Sequence, residues 1–193
     1  MVEALTDKVA SFFISKNFIN EDKHRSLKIR ISSFIYLVIS VISVYIVGVI
    51  FNKVIQGMIL LICYVSIRKY ARGYKPQKYM IRLIMFIIMF LMTIYLANYE
   101  DLTTYKALVI TFSMLSFGGI YMLAPVEDRK KILSPGTIKK QRIISRIIAI
   151  IILTITIISL SNHQFQEYAA YTSSALFWSA ILLVIGTIKN CII

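Results

Sequence analysis

The sequence is poor in charge, and above all in acidic charge. Only 16% of its 193 residues are charged, and nine Asp and Glu residues stand against 22 Lys and Arg residues. A soluble domain normally carries about 25% charged residues, and this chain is 58% hydrophobic with a mean hydropathy of +0.75. The composition therefore predicts an integral membrane protein. It does not indicate a nucleic-acid partner, because the cations lie between apolar runs rather than on a polar domain.

Residue types that perform chemistry are also scarce. The chain has two cysteines and two histidines, with no CxxC pair, Cys/His cluster, Walker loop, HExxH or GxSxG motif. His24 and His163 lie in short polar stretches and are expected to be solvated. Cys63 lies inside an apolar run and is expected to be a small buried residue. The residues alone thus predict no metal, no cofactor and no demonstrated active site.

Long apolar runs dominate the rest of the chain and predict an all-α, polytopic membrane protein with about six transmembrane helices. A spanning helix needs about 20 residues. The first, fourth and sixth runs reach this length, the fifth does so if it begins near residue 143, and the second and third are short. We expect one domain over residues 1–193, with a transmembrane bundle over 31–193. The runs cover residues 33–51, 54–67, 83–97, 107–124, 147–160 and 169–188.

Basic residues fall in three groups, and the segments between these groups hold one cation or none. Because basic loops of membrane proteins stay on the cytoplasmic side, this alternation predicts six crossings with both termini and both basic loops in the cytoplasm. A true loop is expected at "APVEDRKKILSPGTIKK", where Pro125, Pro135 and Gly136 interrupt helices. The three groups are Lys8, Lys16, Lys23, Arg25, Lys28 and Arg30; Arg68, Lys69, Arg72, Lys75, Lys78 and Arg82; and Arg129, Lys130, Lys131, Lys139, Lys140, Arg142 and Arg146.

The N-terminal segment, residues 1–30, has an amphipathic pattern. Leu5, Val9, Phe12, Phe13 and Phe18 recur at nearly helical spacing, with polar residues between them. This pattern favours a helix on the cytoplasmic membrane surface. A soluble helix that covers the end of the bundle fits the pattern equally well.

The stretch "RKYARGYKPQKYMIR" carries six cations between two apolar runs. As a topology determinant it would lie on anionic lipid headgroups, where each cation contributes about 1 kcal/mol. That role does not require Gly73 and Pro76, which impose a backbone turn. A turn lined with Arg and Lys side chains could instead hold a carboxylate.

This stretch, followed by "YMLAPVEDRKKILSPGTIKKQRIISR", resembles the accessory gene regulator B (AgrB) family. The resemblance covers the whole chain in length, charge layout and order of segments, and is most specific at "RKYARG" and "APVEDRKK". It implies a multi-pass protein of the bacterial cell membrane that processes a precursor peptide into a cyclic quorum-sensing signal.

The resemblance also implies where a catalytic pair would lie, and both positions are changed. The family pattern has a His two residues after a Gly and a Cys seven residues further on. Here the Gly is Gly73, and the two positions hold Lys75 and Arg82. Arg82 cannot act as a nucleophile, and Lys75 has no thiol to activate. We therefore expect a catalytically inactive relative, a pseudopeptidase.

Such a relative would still bind a precursor or signal peptide. Family precursors resemble an amphipathic leader with an acidic tail, which would suit a cationic chamber. Anionic lipids and a second copy of the chain in a homodimer are further expected partners. The candidate peptide-binding residues are Arg68, Lys69, Arg72, Gly73, Lys75, Lys78 and Arg82.

Two alternatives stay open. In the first, the chain is an active peptidase with a rebuilt site in which Cys63 is the nucleophile. In the second, it is a membrane transport, immunity or interaction subunit. Close packing, either within the chain or between protomers, would then be supported by the small residues Thr103, Thr104, Ser113, Ser116 and Gly118–Gly119.

Overall fold

Six helices make up the described part of the chain, which contains no strand. The structure, a computed structural model, describes the backbone of residues 24–71, 79–97, 102–126, 135–162 and 164–192, and the side chains of 37–71, 81, 83–97, 104–126, 136–162 and 164–190. The helices are α1 (His24–Ile50), α2 (Val54–Ala71), α3 (Tyr79–Ala97), α4 (Leu102–Leu123), α5 (Pro135–Ser161) and α6 (Gln166–Ile192).

Four of these helices are long and apolar enough to cross a membrane, namely α2, α4, α5 and α6. Helices α1 and α3 contribute the shorter apolar stretches Leu37–Ile50 and Leu83–Ala97. The all-α prediction is thereby confirmed, and the helices are compatible with a polytopic membrane protein. The predicted amphipathic helix over residues 1–30 lies largely outside the described residues, since α1 begins at His24.

Every helix extends beyond its predicted apolar run at one end or both, and two of these boundaries lie beside the basic segments. The second apolar run was expected to end at residue 67, but α2 continues to Ala71 and so includes Arg68 and Lys69. The expected loop through residue 140 was too long, because α5 begins at Pro135. Proline is favourable in the first turn of a helix, since its missing N–H would have no helical partner there. Pro135 thus starts a helix that the sequence analysis expected it to interrupt.

Helix α6 lies at the centre of the bundle and contacts α2, α3, α4 and α5. Its small residues allow this close approach: a Cβ atom at Gly119 of α4 would lie 3.6 Å from the Cβ atom of Ala180. Hydroxyl groups join α6 to both flanking helices. Ser113 donates to Ser173 Oγ at 3.0 Å, and Thr156 donates to Thr172 Oγ1 at 2.8 Å.

A tight turn joins α1 to α2. Asn52 has a positive φ of 54°, and the Lys53 N–H donates to the Gly48 carbonyl at 2.7 Å. A Cβ atom at position 48 would lie 2.8 Å from the Cα atom of Val54. Glycine at position 48 is therefore required by the close approach of the two backbones.

The buried core divides into two clusters. One surrounds Leu60, Phe90 and Tyr171, and the other surrounds Ile67, Ile120 and Leu183. Helices α2 and α6 contribute to both, which ties the two ends of the bundle together. The second cluster, called the lower core below, lies next to the basic ends of α2 and α5.

Candidate functional site

The last turn of α2 begins the candidate site. The Arg68 guanidinium lies 5.8 Å from the centroid of the Tyr64 ring, and Lys69 Nζ lies 5.5 Å from that of Tyr70. Arg68 is half-buried and Lys69 is exposed. Cations in the last turn interact favourably with the carbonyl end of the helix. These two candidate residues are therefore fixed on a helix and do not belong to a loop.

The end of α2 is hydrogen-bonded to the segment that follows α4. The Val126 N–H donates to the Ala71 carbonyl at 3.2 Å, a carbonyl that has no partner within its own helix. Ala71 and Ala124 are 1% and 2% exposed and both belong to the lower core. Ala71 of the motif "RKYARG" and Val126 of the motif "APVEDRKK" are thus in direct contact, although 54 residues lie between them in the sequence.

Arg146 of α5 completes this junction by capping α4. In a continuing helix, the N–H at position 125 would donate to the Tyr121 carbonyl, but Pro125 has no N–H. Arg146 supplies the missing donors, since its Nε and Nη2 atoms lie 3.2 and 3.0 Å from the Tyr121 oxygen. Its guanidinium also lies 3.9 Å from the centroid of the Tyr121 ring. Both the hydrogen bonds and the stacking use the planar fork of arginine.

We call this region the basic end. It comprises the last turn of α2, the Pro125–Val126 segment and the first three turns of α5. Lys139, Lys140 and Arg142 are exposed there. The sequence analysis gave Arg146 a topological role alone and missed its cap, because nothing in the sequence links it to Tyr121. The one sequence feature that points to a cap is Pro125, because it has no N–H to donate to the Tyr121 carbonyl four residues earlier.

The other end of the bundle is also polar but much less charged. Lys53 Nζ pairs with the Glu167 carboxylate and so links the α1–α2 turn to the first turn of α6. The Tyr105 hydroxyl donates to the Gln166 carbonyl at 2.7 Å. These contacts place the light segments of the charge pattern at one end, whereas the described basic segments meet at the other.

The remaining predicted site residues are described in part or not at all. Arg72, Gly73, Lys75 and Lys78 lie outside the described residues, between Ala71 and Tyr79. Arg82 lies in the first turn of α3, but its side chain is also outside the described set. The structure therefore defines the end of α2 and the start of α3, which lie on either side of residues 72–78 in the sequence.

The model of the accessory gene regulator B family matches residues 6–186, which is nearly the whole chain. The chain belongs to the AgrB family. It is thus a membrane protein of a family that processes quorum-sensing propeptides. No curated protein and no solved structure matches it.

Because members of the AgrB family process peptides, the surroundings of Cys63 bear on whether this thiol could act as a nucleophile. Cys63 is a partly buried free thiol that packs against the apolar lower core, together with Phe117 and Leu123. A nucleophilic cysteine needs a neighbouring base or positive charge that favours the thiolate. Among the described side chains, no group of three His, Cys, Asp or Glu residues lies close enough to bind a metal ion.

Proposed function

We propose that this AgrB-family protein is a catalytically inactive relative that binds an acidic peptide at its basic end. The observation that carries the proposal is the replacement of both members of the family's His–Cys pair by Lys75 and Arg82. Neither side chain supplies a thiolate nucleophile. Both instead add positive charge, Lys75 between α2 and α3 in the sequence and Arg82 in the first turn of α3, which suits binding of carboxylates.

The retained frame supports binding. The hydrogen bond from Val126 to Ala71 and the Arg146 cap hold two basic segments side by side. Such a frame lets cations from both segments face one ligand, and an extended anionic tail is the ligand that satisfies several cations at once. Arg68 and Lys69, fixed on α2, would provide its rigid wall.

The proposal includes a multi-pass topology with the basic end and both termini in the cytoplasm. Its support is the meeting of the described basic segments at one end of the bundle, combined with the cytoplasmic bias of Lys and Arg in membrane proteins. A ligand made in the cytoplasm would then reach the site without crossing the membrane.

The proposal is tested by binding a fluorescent peptide with an amphipathic leader and an acidic tail to the full chain in detergent. Lys75→Glu combined with Arg82→Glu should weaken binding strongly, because two attractive charges become repulsive. Lys106→Glu, on α4 away from the basic end, is the control and should change affinity little. A peptide with its acids replaced by amides should bind weakly to every variant.

Unchanged affinity in the Lys75→Glu, Arg82→Glu variant would reject the proposed site. Equal binding of the acidic and the neutral peptide would reject the claim that the site recognises carboxylates. Thermal unfolding of each variant in the same detergent shows whether a lost affinity reflects a lost fold.

An active peptidase that uses Cys63 is the second candidate, favoured by the position of Cys63 two turns before the end of α2. Its apolar packing against the lower core favours the inactive proposal instead. Cys63→Ala decides between them. Loss of all precursor processing would establish Cys63 as the nucleophile, whereas processing that survives the substitution would dismiss it.

An interaction or transport subunit, acting as a homodimer, is the third candidate. Ser113 and Gly119 pack against α6 within the chain, so they are not free for a partner. Gly118 is the exception, because a Cβ atom there would meet open space. A homodimer in mild detergent that dissociates on Gly118→Leu and carries no peptide would favour this candidate over the inactive peptide-binding relative, for which a homodimer is also expected. A monomer would oppose it.

A further inference from the structure

The end of the bundle opposite the basic end contains two buried hydrogen-bond donors that no described residue satisfies. They are the hydroxyl group of Tyr171 and the side-chain amide nitrogen, Nε2, of Gln166. Tyr171 is 0% exposed and Gln166 is 6% exposed. Buried polar groups in folded proteins nearly always have a hydrogen-bond partner. Two unsatisfied donors in the first two turns of α6 therefore indicate a ligand at this position.

We infer that this region is a binding site for water, held beneath the ion pair of Lys53 and Glu167. The bound water accepts hydrogen bonds from Tyr171 and Gln166 and donates one to the carboxylate of Glu167. The inference is independent of peptide binding, because these residues lie in the first turns of α6 and in the α1–α2 turn, away from the basic end.

The donors and the carboxylate belong to one polar cluster. Glu167 and Tyr171 lie four residues apart on α6, a spacing that makes side chains neighbours on one face of a helix. The Tyr171 hydroxyl is close enough to interact electrostatically with the Glu167 carboxylate and with the Tyr105 hydroxyl. Tyr105 in turn donates to the backbone carbonyl of Gln166 at 2.7 Å. Tyr105 thus links the residues that carry the two unsatisfied donors.

The Glu167 carboxylate supplies the acceptor that a bound water needs. Lys53 Nζ donates to Oε1 of this carboxylate, and Oε2 receives no hydrogen bond from the described residues. The Lys53 and Glu167 side chains are 24% and 31% exposed. Because the pair lies partly at the surface, water can reach the cluster beside it.

The charges around the cluster favour a small neutral ligand over an ion. The Glu167 carboxylate repels an anion, and the Lys53 ammonium repels a cation. The phenol and the amide nitrogen can both donate, and one water can accept from both while it donates to the carboxylate. Buried waters typically make about three hydrogen bonds to polar groups that lack other partners. Tyr171, Gln166 and Glu167 provide these three.

Apolar packing encloses the rest of the Tyr171 side chain. Its ring centroid lies 6.3 Å from that of Phe90, and Phe90 is 1% exposed. Water is thereby confined to the hydroxyl end of the Tyr171 ring. Phe90 is a matched control for the experiment below, because it is an equally buried aromatic side chain with no polar group.

The first test is hydroxyl-radical footprinting of the full chain in a neutral detergent. Brief X-ray pulses convert water into hydroxyl radicals, which oxidise the side chains beside it, and mass spectrometry locates the products. Oxidation of Tyr171 should exceed that of Phe90 several-fold, once each rate is normalised to that of the free amino acid. Neither residue is more than 1% exposed, so bulk solvent does not account for the expected difference.

The second test compares variants by thermal unfolding in the same detergent. Tyr171→Phe keeps the ring and should lower the unfolding midpoint, because the water loses a hydrogen-bond partner. Gln166→Leu should lower it as well. The two changes together should cost less than the sum of their separate effects, because both donors bind one water. Thr154→Val, on the exposed face of α5, is the control and should change the midpoint little.

Several results would overturn the inference. Equal oxidation of Tyr171 and Phe90 would show that no water lies beside the hydroxyl. An unchanged or higher midpoint for Tyr171→Phe would show that the hydroxyl has no partner to lose. A lower midpoint without oxidation of Tyr171 would assign the hydroxyl to a direct hydrogen bond with Glu167. Strictly additive effects of Tyr171→Phe and Gln166→Leu would show that the two donors share no water.

Discussion

At the scale of single residues, Gly57 shows how tightly the first three helices pack. A Cβ atom at this position of α2 would lie 2.6 Å from Phe90 Cζ and 2.8 Å from Val44 Cγ1. Phe90 and Val44 are each 1% exposed, so neither has free space to move into. The absence of a side chain at Gly57 therefore sets the distance between α1, α2 and α3.

Gly57→Ala should lower the free energy of unfolding by about 1–3 kcal/mol, the usual cost of overpacking a core. Gly118→Ala is the matched control, because its Cβ atom would meet open space and alanine favours helix. Thermal unfolding in one detergent compares them. Equal midpoints for the two variants would contradict the packing described for Gly57.

Arg146 is the second residue with a specific structural role. Its fork replaces the hydrogen bond that Pro125 cannot donate to the Tyr121 carbonyl. A lysine at this position would keep the charge but lose the paired donors and the planar stacking. The geometry of this single side chain therefore fixes the C-terminal end of α4 against α5.

Arg146→Ala should destabilise the protein by about 1.5–3 kcal/mol, the range for hydrogen bonds to charged groups, and Arg146→Lys should recover only part of the loss. Arg142→Ala removes an exposed cation one turn earlier and should be nearly neutral. Chemical denaturation followed by tryptophan fluorescence measures all three. Full stability of Arg146→Lys would show that charge alone matters here.

At the scale of the elements, α6 organises the bundle through hydroxyl groups as well as small residues. Thr156 of α5 donates to Thr172 Oγ1 of α6, and the Thr172 hydroxyl donates in turn to the Ala169 carbonyl of its own helix. Without an apolar driving force between helices in lipid, such contacts and close packing hold helices together. The pair therefore links two helices within a buried seam.

A double-mutant cycle with Thr156→Val and Thr172→Val should give a coupling energy of about 0.6 kcal/mol, typical of hydrogen bonds between membrane helices. Thr154→Val is the control partner, because Thr154 bonds its own helix on the exposed face and should show no coupling to Thr172. Unfolding free energies in mixed micelles provide the measurement. Zero coupling for the buried pair would show that the Thr156–Thr172 contact does not stabilise the packing of α5 on α6.

The elements also show what the sequence could and could not predict. Hydropathy located all six helices, because a long run of apolar residues can be recognised from composition alone. It ended α2 at residue 67, since charge normally marks the end of a membrane run, whereas Arg68 and Lys69 continue the helix as cations of its last turn, where they interact favourably with its carbonyl end. The sequence prediction also placed Pro135 in a loop. Pro135 instead begins α5, because proline is favourable at the first position of a helix.

At the scale of the whole molecule, the family assignment from two motifs is confirmed by a match over residues 6–186. The contact between those motifs could not be predicted. The hydrogen bond from Val126 to Ala71 and the Arg146 cap join residues that are distant in sequence, and one sequence carries no signal for such pairs. The Lys75 and Arg82 replacements could be read from the sequence alone, and their consequence stays a prediction.

The measurement that tests the central claim most directly is mass spectrometry of an AgrB-type precursor peptide co-expressed with this protein. A catalytically active family member that cleaves the same precursor establishes that the substrate is competent. We predict an intact precursor with the unaltered chain, and cleavage when Lys75→His and Arg82→Cys together restore the pair. Cleavage by the unaltered chain would contradict the claim that the catalytic chemistry has been lost.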